Sequence, residues 1–190
     1  MKQIQLIVSK ENFKISKNND SFKIIGKSHY FEEKEEFYKK ISQNYNLEVL
    51  LNFINENIGN YNNYINNITF VYLIFNIFRY LLEENNKNLE IYEPETGLHN
   101  HYQALILDLI IKLKLENKLK KNIFIYTRSP AIIDRIGKYI YKKQLNKDDI
   151  TLKLDNLKTK YSEDGGIENY HIKYFSCPGL KEFKLWKILL

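Results

Sequence analysis

The chain has a single cysteine, Cys177, so no disulfide can close within it. Its N-terminus lacks the apolar run followed by small residues that marks a secretory signal, and a reducing cytoplasm is the expected compartment. No stretch reaches the ~20 apolar residues of a membrane span. The most apolar one, Ile68 to Leu82, is interrupted by Asn76 and Arg79 and reads as a buried helix, with no membrane partner. Zinc chemistry lacks its pattern too, because there is no Cys pair and no His-Glu-x-x-His spacing. His99 and His101 stand two apart, with His29 and His171 distant. Cys177 has no general base beside it in the sequence. The fifteen tyrosines form no RNA-binding aromatic motif and read as half-buried packing.

What is present describes a folded domain. With 190 residues, 44% hydrophobic and 14% aromatic, the chain is long and apolar enough for one sizeable core, and disorder is excluded. The 29 Lys+Arg against 23 Asp+Glu leave a formal charge of +6, which permits contact with nucleic acid without requiring it. The lysines are scattered among Asn and Ile, and this richness reads as compositional bias rather than as placement for phosphates.

Residues Ile4, Leu6 and Val8 alternate with other residues as in a strand, and Phe13, Ile15, Phe22, Ile24 and Ile25 predict two more short strands, so the chain is expected to open as a β-meander. The charged run from Glu32 to Lys40 predicts a solvated helix from Tyr30 to about Tyr45. Seven Asn and Gly59 between Asn55 and Asn67 predict a polar loop. Beyond it strand and helix alternate: a strand over 89–92, a helix over 98–115, a strand over 122–126, a helix over 130–144 and a strand over 150–154. Such βα repetition predicts an α/β fold, a mainly parallel sheet with flanking helices. Residues 156–190 are expected to add a hairpin around Glu163-Asp164-Gly165-Gly166 and a terminal helix carrying Trp186. The whole is read as a single domain over 1–190.

Two segments stand at the C-terminal ends of successive predicted strands, where a ligand of such a sheet would sit. One is Leu89-Glu90-Ile91-Tyr92-Glu93-Pro94-Glu95-Thr96-Gly97-Leu98-His99-Asn100, continuing to Gln103; the other is Ile123-Phe124-Ile125-Tyr126-Thr127-Arg128-Ser129-Pro130. Together they resemble the Walker B and switch segments of RecF/SMC-type and OLD-type ABC ATPases. In that family an apolar strand is followed by two acidic residues, Pro, Glu, a short gap, Leu-His-Pro and Gln, and later by Thr-His-Ser. The stretch from Asp134 to Ile150 is similar to the segment after the switch, so the resemblance covers roughly residues 65–155. It implies a P-loop NTPase-like lobe. One strand-end carboxylate would help to hold Mg²⁺, the next, Glu93, would polarise the attacking water, and a switch His would contact the γ-phosphate.

The sequence departs from that set in three places. Tyr92 replaces the first acidic residue, and a phenol is a poor Mg²⁺ ligand. Arg128 replaces the switch His, and a guanidinium does not exchange a proton. The phosphate-binding loop is missing: Gly26-Lys27-Ser28 has Ser21 where the first glycine of that loop should stand. The family's signature segment is not recognisable in Tyr64 to Thr69. Glu93 is thus the candidate catalytic carboxylate, and Tyr92, Glu95, Arg128, Ser129 and His99 are remnants of a nucleotide site. His99 is expected to serve structure or capping. Arg128 should lie within ion-pair reach of Glu93 or Glu95, with Tyr92 turned into packing.

The resemblance with its departures implies a degenerate ATPase-like chain that does not hydrolyse ATP alone and acts as an interaction or regulatory module. Cofactors are not expected, and ATP with Mg²⁺ would bind only together with a partner chain. That partner would be a P-loop ATPase, a nuclease or a second copy. Two alternatives stand beside this reading: a subunit of a split ATPase acting in trans, and a weak, non-specific nucleic-acid binder.

Overall fold

The structure is a computed structural model, which describes residues 4–8, 15, 20–26, 39, 41–43, 45–60, 67–154 and 157–168. Its strands are β1 (Ile4–Val8), β2 (Ser21–Ile25), β3 (Asn88–Tyr92), β4 (Ile123–Thr127), β5 (Ile150–Leu154) and β6 (Leu157–Thr159). Its main helices are α1 (Leu47–Asn57), α2 (Ile68–Arg79), α3 (Asn100–Leu115) and α4 (Pro130–Tyr141), with α2 running on into a π-helical turn, Tyr80–Glu84. Each of the first five strands is a short run rich in Ile, Leu, Val or aromatic residues, the composition that fits a pleated surface. Each helix begins at a side chain that accepts from its first turn: Asn46 from Glu48 and Val49, Asn67 from Phe70, His99 from His101 and Ser129 from Ile132. Pro130 opens α4, where its missing N–H costs nothing.

One sheet joins all six strands in the order β2-β3-β4-β1-β5-β6, parallel except for β6. The α/β architecture expected from the alternating pattern is therefore present. The opening strands, however, form no meander. β1 lies between β4 and β5, β2 lies beside β3 at the sheet edge, and the two are separated by β3 and β4. Alternation in so short a run gives the face of a strand but not its neighbours. Ile15 belongs to no strand. The expected strand at Phe13, most of the charged helix expected over 30–45, of which residues 39 and 41–43 are helical, and the whole stretch from 169 to 190, with Cys177 and Trp186, lie outside the described residues.

Paired residues in a parallel ladder share a face. Phe22, Leu89, Ile123, Ile4 and Ile150 form one row across five strands, and Ile24, Ile91 and Ile125 lie in the next, all of them buried. The steps β2→β3, β3→β4 and β4→β5 all move the same way across the sheet. Right-handed crossovers put α1–α4 together over one face, and each of these helices does pack on the next. α2 is the innermost, with Phe70, Val71 and Leu73 to Phe78 buried, as its apolar sequence predicts. Asn76 is accommodated there because its Nδ2 donates to Tyr72 O at 2.8 Å.

Helix α4 is tied on both sides. Asp108 on α3 accepts from Arg135 Nε at 2.7 Å, from a second guanidinium nitrogen, and from the Tyr139 hydroxyl at 3.0 Å. On the other side the Gly165 backbone meets the Gly137 backbone so closely that neither has room for a Cβ, and the buried Tyr161 donates to Ile133 O at 3.0 Å. The turn expected at 163–166 is thus held against α4, and Gly165 has the positive φ of 73° that favours glycine.

Candidate functional site

The direction of the crossovers locates the site. From β4 the chain moves on to β5, whereas from its neighbour β1 it goes back to β2, so the C-terminal ends of β1 and β4 mark the topological switch point. Val8 pairs with Thr127 at that end, and β3 ends beside it. A phosphate-binding loop would have to follow β1. The residues there are Ser9-Lys10-Glu11-Asn12, and no glycine occurs before Gly26.

Gly26 belongs elsewhere. It follows β2, which is separated from β1 by β3 and β4, and its N–H donates to Tyr92 O at 2.8 Å. A Cβ on it would overlap the carbonyl group of Glu93. Close approach of two backbones, rather than a phosphate, accounts for this glycine. Lys27 and Ser28 lie outside the described residues.

The strand ends bring Glu93, Glu95, Thr127, Arg128 and Ser129 together. Glu93 extends the ladder by one bond, its N–H donating to Tyr126 O at 2.7 Å, and then turns the chain with a φ of 48°, a left-handed conformation uncommon for a residue with a Cβ. Its carboxylate is paired with the Arg128 guanidinium, and the Glu93 side chain is 10% exposed against 37% for Arg128. Glu95 accepts at both oxygens, from Thr127 Oγ1 at 2.7 Å and from the Arg128 backbone N–H at 2.6 Å. Thr127, fully buried, also accepts from the Ser129 N–H at 2.9 Å. Ser129 donates to Gln103 Oε1 while Gln103 Nε2 donates to Leu98 O at 2.7 Å. Both acidic groups at the strand ends therefore have donors supplied from the end of β4.

Tyr92 is turned into packing. It is 2% exposed, stacks on its cross-strand neighbour Tyr126 at 4.2 Å between ring centroids, and donates to Glu90 Oε2 at 2.6 Å. Burial raises the Tyr126 phenol above its ordinary pKa; hydrogen bonding with Tyr92 acts the other way, and the nearby Glu90 carboxylate adds to the rise. His99 is the N-cap of α3 and is exposed. The expected ion pair of Arg128, the packing of Tyr92 and the capping by His99 are all present. Among the described residues no group of three or more His, Cys, Asp or Glu is placed to hold a metal ion.

Two members of the network were not marked as site residues by the motifs alone. Thr127 and Gln103 stand at the Thr and Gln positions of the quoted segments, but the motif assigns them no role, and Gln103 reaches Ser129 because α3 and α4 start at the same edge of the sheet. Compared with family models, with curated proteins and with solved structures, the chain matches none.

Proposed function

We propose that this protein is a degenerate relative of the RecF/SMC-type ATPase heads, a non-hydrolysing interaction or regulatory module. The observation that carries the proposal is the pairing of Arg128 with Glu93. In a phosphoryl-transfer site the strand-end carboxylate must be open to a water and a metal-bound phosphate; here its charge is compensated by a side chain of the neighbouring strand end. Three further features agree with it: no glycine stands between β1 and β2, Gly26 is fixed by backbone packing, and Tyr92 lies buried against Tyr126. A parallel sheet with a satisfied, rigid edge still offers a docking surface, and the expected partner is a protein, either a P-loop ATPase, a nuclease or a second copy.

Phosphate release from ATP with Mg²⁺ tests the proposal. Wild type should stay at background, and so should Tyr92→Asp/Arg128→His, which restores two family residues but no phosphate cradle. Turnover by the wild type that disappears in Glu93→Gln would instead make Glu93 a catalytic base and refute the proposal.

A further inference from the structure

The lysines that look scattered along the chain converge at the opposite edge of the sheet. Ile4 of β1 pairs with both Ile123 and Ile150, the first residues of β4 and β5. The segments that enter those two strands are thus held about 10 Å apart, twice the spacing of neighbouring strands. Helices α3 and α4, which feed them, run the same way and pack side by side, so their C-terminal turns meet at this edge. Residues 112–121 hold five Lys against one Glu, and residues 138–149 hold four Lys against two Asp. Together they carry a surplus of six positive charges, equal to the formal excess of the whole chain.

Some of these lysines are engaged. Lys118 pairs with Glu116 at 2.7 Å, Lys147 pairs with Glu163 at 2.7 Å, and Lys112 donates to Glu56 O at 2.9 Å. Lys120, Lys121, Lys142 and Lys143 are exposed and have no ion pair among the described residues. Between them Tyr141, the last residue of α4, is 61% exposed. The exposed acids nearest in sequence are Glu116, which is paired with Lys118, and Asp148.

The backbone holds this arrangement in place. Both helices end in the same motif, with Asn117 and Lys143 at a φ of 56°. The N–H of the following residue reaches back to Leu113 O at 2.9 Å in α3 and to Tyr139 O at 2.9 Å in α4, the Schellman pattern that usually takes glycine at the left-handed position. Lysine stands at that strained position in α4, at the tip of the patch. The loop after α3 is anchored as well: Asn85 Nδ2 donates to Lys118 O at 2.7 Å, and Lys120 N–H donates to Asn85 Oδ1 at 3.2 Å.

We infer that this edge, Lys120, Lys121, Lys142 and Lys143 around Tyr141, binds the phosphate backbone of single-stranded nucleic acid, with Tyr141 stacking on a base. Hydrated lysine point charges follow a chain of phosphates without reading bases in a fixed geometry, and an exposed aromatic among them is the stacking element of such sites. An acidic protein would satisfy the charges but leave Tyr141 without a role. A lipid surface is less suited, because α3 and α4 spend their apolar faces on the core. The inference is independent of the reading of the strand-end site, from which it is separated by the length of the sheet.

Fluorescence anisotropy of the full chain with labelled oligothymidylate, with melting curves for every variant, provides the test. Wild type should bind weakly, losing affinity steeply between ~50 and ~200 mM salt. Lys120→Ser/Lys121→Ser/Lys142→Ser should bind at least about tenfold more weakly at ~50 mM salt and lower the slope of log K against log salt by about 2. Tyr141→Ala should weaken binding with the slope unchanged. Lys143→Gly separates binding from folding: it relieves the left-handed strain, so it should melt at or above wild type while binding less. Affinity equal to wild type in the triple variant would overturn the inference. So would a wild type that ignores oligothymidylate and binds vesicles containing phosphatidylserine, or one that binds neither.

Discussion

Gly26→Ala should destabilise the protein by about 3 kcal/mol, at the upper end of what overpacking costs and a large part of a typical total of ~5–15 kcal/mol. The added methyl would fall on the Glu93 carbonyl group, and both contacting elements are backbone, so no flexible side chain can swing aside. The β2–β3 ladder would have to part at its end, where Gly26 N–H now donates to Tyr92 O. A denaturant melt reads the effect directly. A glycine kept for a phosphate would behave otherwise, leaving stability near wild type and affecting only nucleotide affinity, so an unperturbed melt of Gly26→Ala would contradict the packing role assigned to it.

Breaking the Glu93–Arg128 pair should have the next largest effect. Removing one partner of a buried ion pair costs ~3–5 kcal/mol, but the Arg128 side chain is 37% exposed and water reaches that end, so about 2 kcal/mol is expected for Arg128→Ala. Arg128→Lys should recover only part, since an ammonium lacks the planar fork. A double-mutant cycle with Glu93→Gln should return a coupling of about 1 kcal/mol or somewhat more. The backbone of Glu93 adds a separable signature: at φ 48° a residue with a Cβ costs about 1 kcal/mol relative to glycine. Glu93→Gly should therefore be less damaging than Glu93→Ala, although both lose the carboxylate. Additive effects at the two positions would show that the pair contributes nothing.

The βα succession was legible because it rests on local signals. Apolar runs of five residues alternate with helices whose starts are marked by Asn67, His99 or Ser129-Pro130, and the observed boundaries of these strands differ from the expected ones by at most one residue. The ion pair was legible for a related reason: two successive parallel strands ending in opposite charges bring them together if the strands are neighbours. The place of β1 was not. Its partners lie more than a hundred residues away in sequence, and the pattern of Ile4–Val8 fits an edge as well as the sheet interior. Gly26 misleads for the same reason, since Gly26-Lys27-Ser28 imitates a phosphate-loop ending while the contact that requires the glycine is tertiary. The basic edge is invisible along the chain because two lysine-rich helix ends, separated in sequence by β4 and α4, are brought to one end of the sheet by tertiary pairing through Ile4 and by the packing of α3 on α4.

Calorimetric titration of the purified chain with ATP and Mg²⁺ tests the central claim most directly. With the Glu93 carboxylate paired to Arg128, Glu95 held by Thr127 and no glycine between β1 and β2, no isotherm in the micromolar range is expected. A micromolar isotherm that is abolished by Lys27→Ala or by Arg128→Ala would show that a working phosphate site exists and would contradict the account.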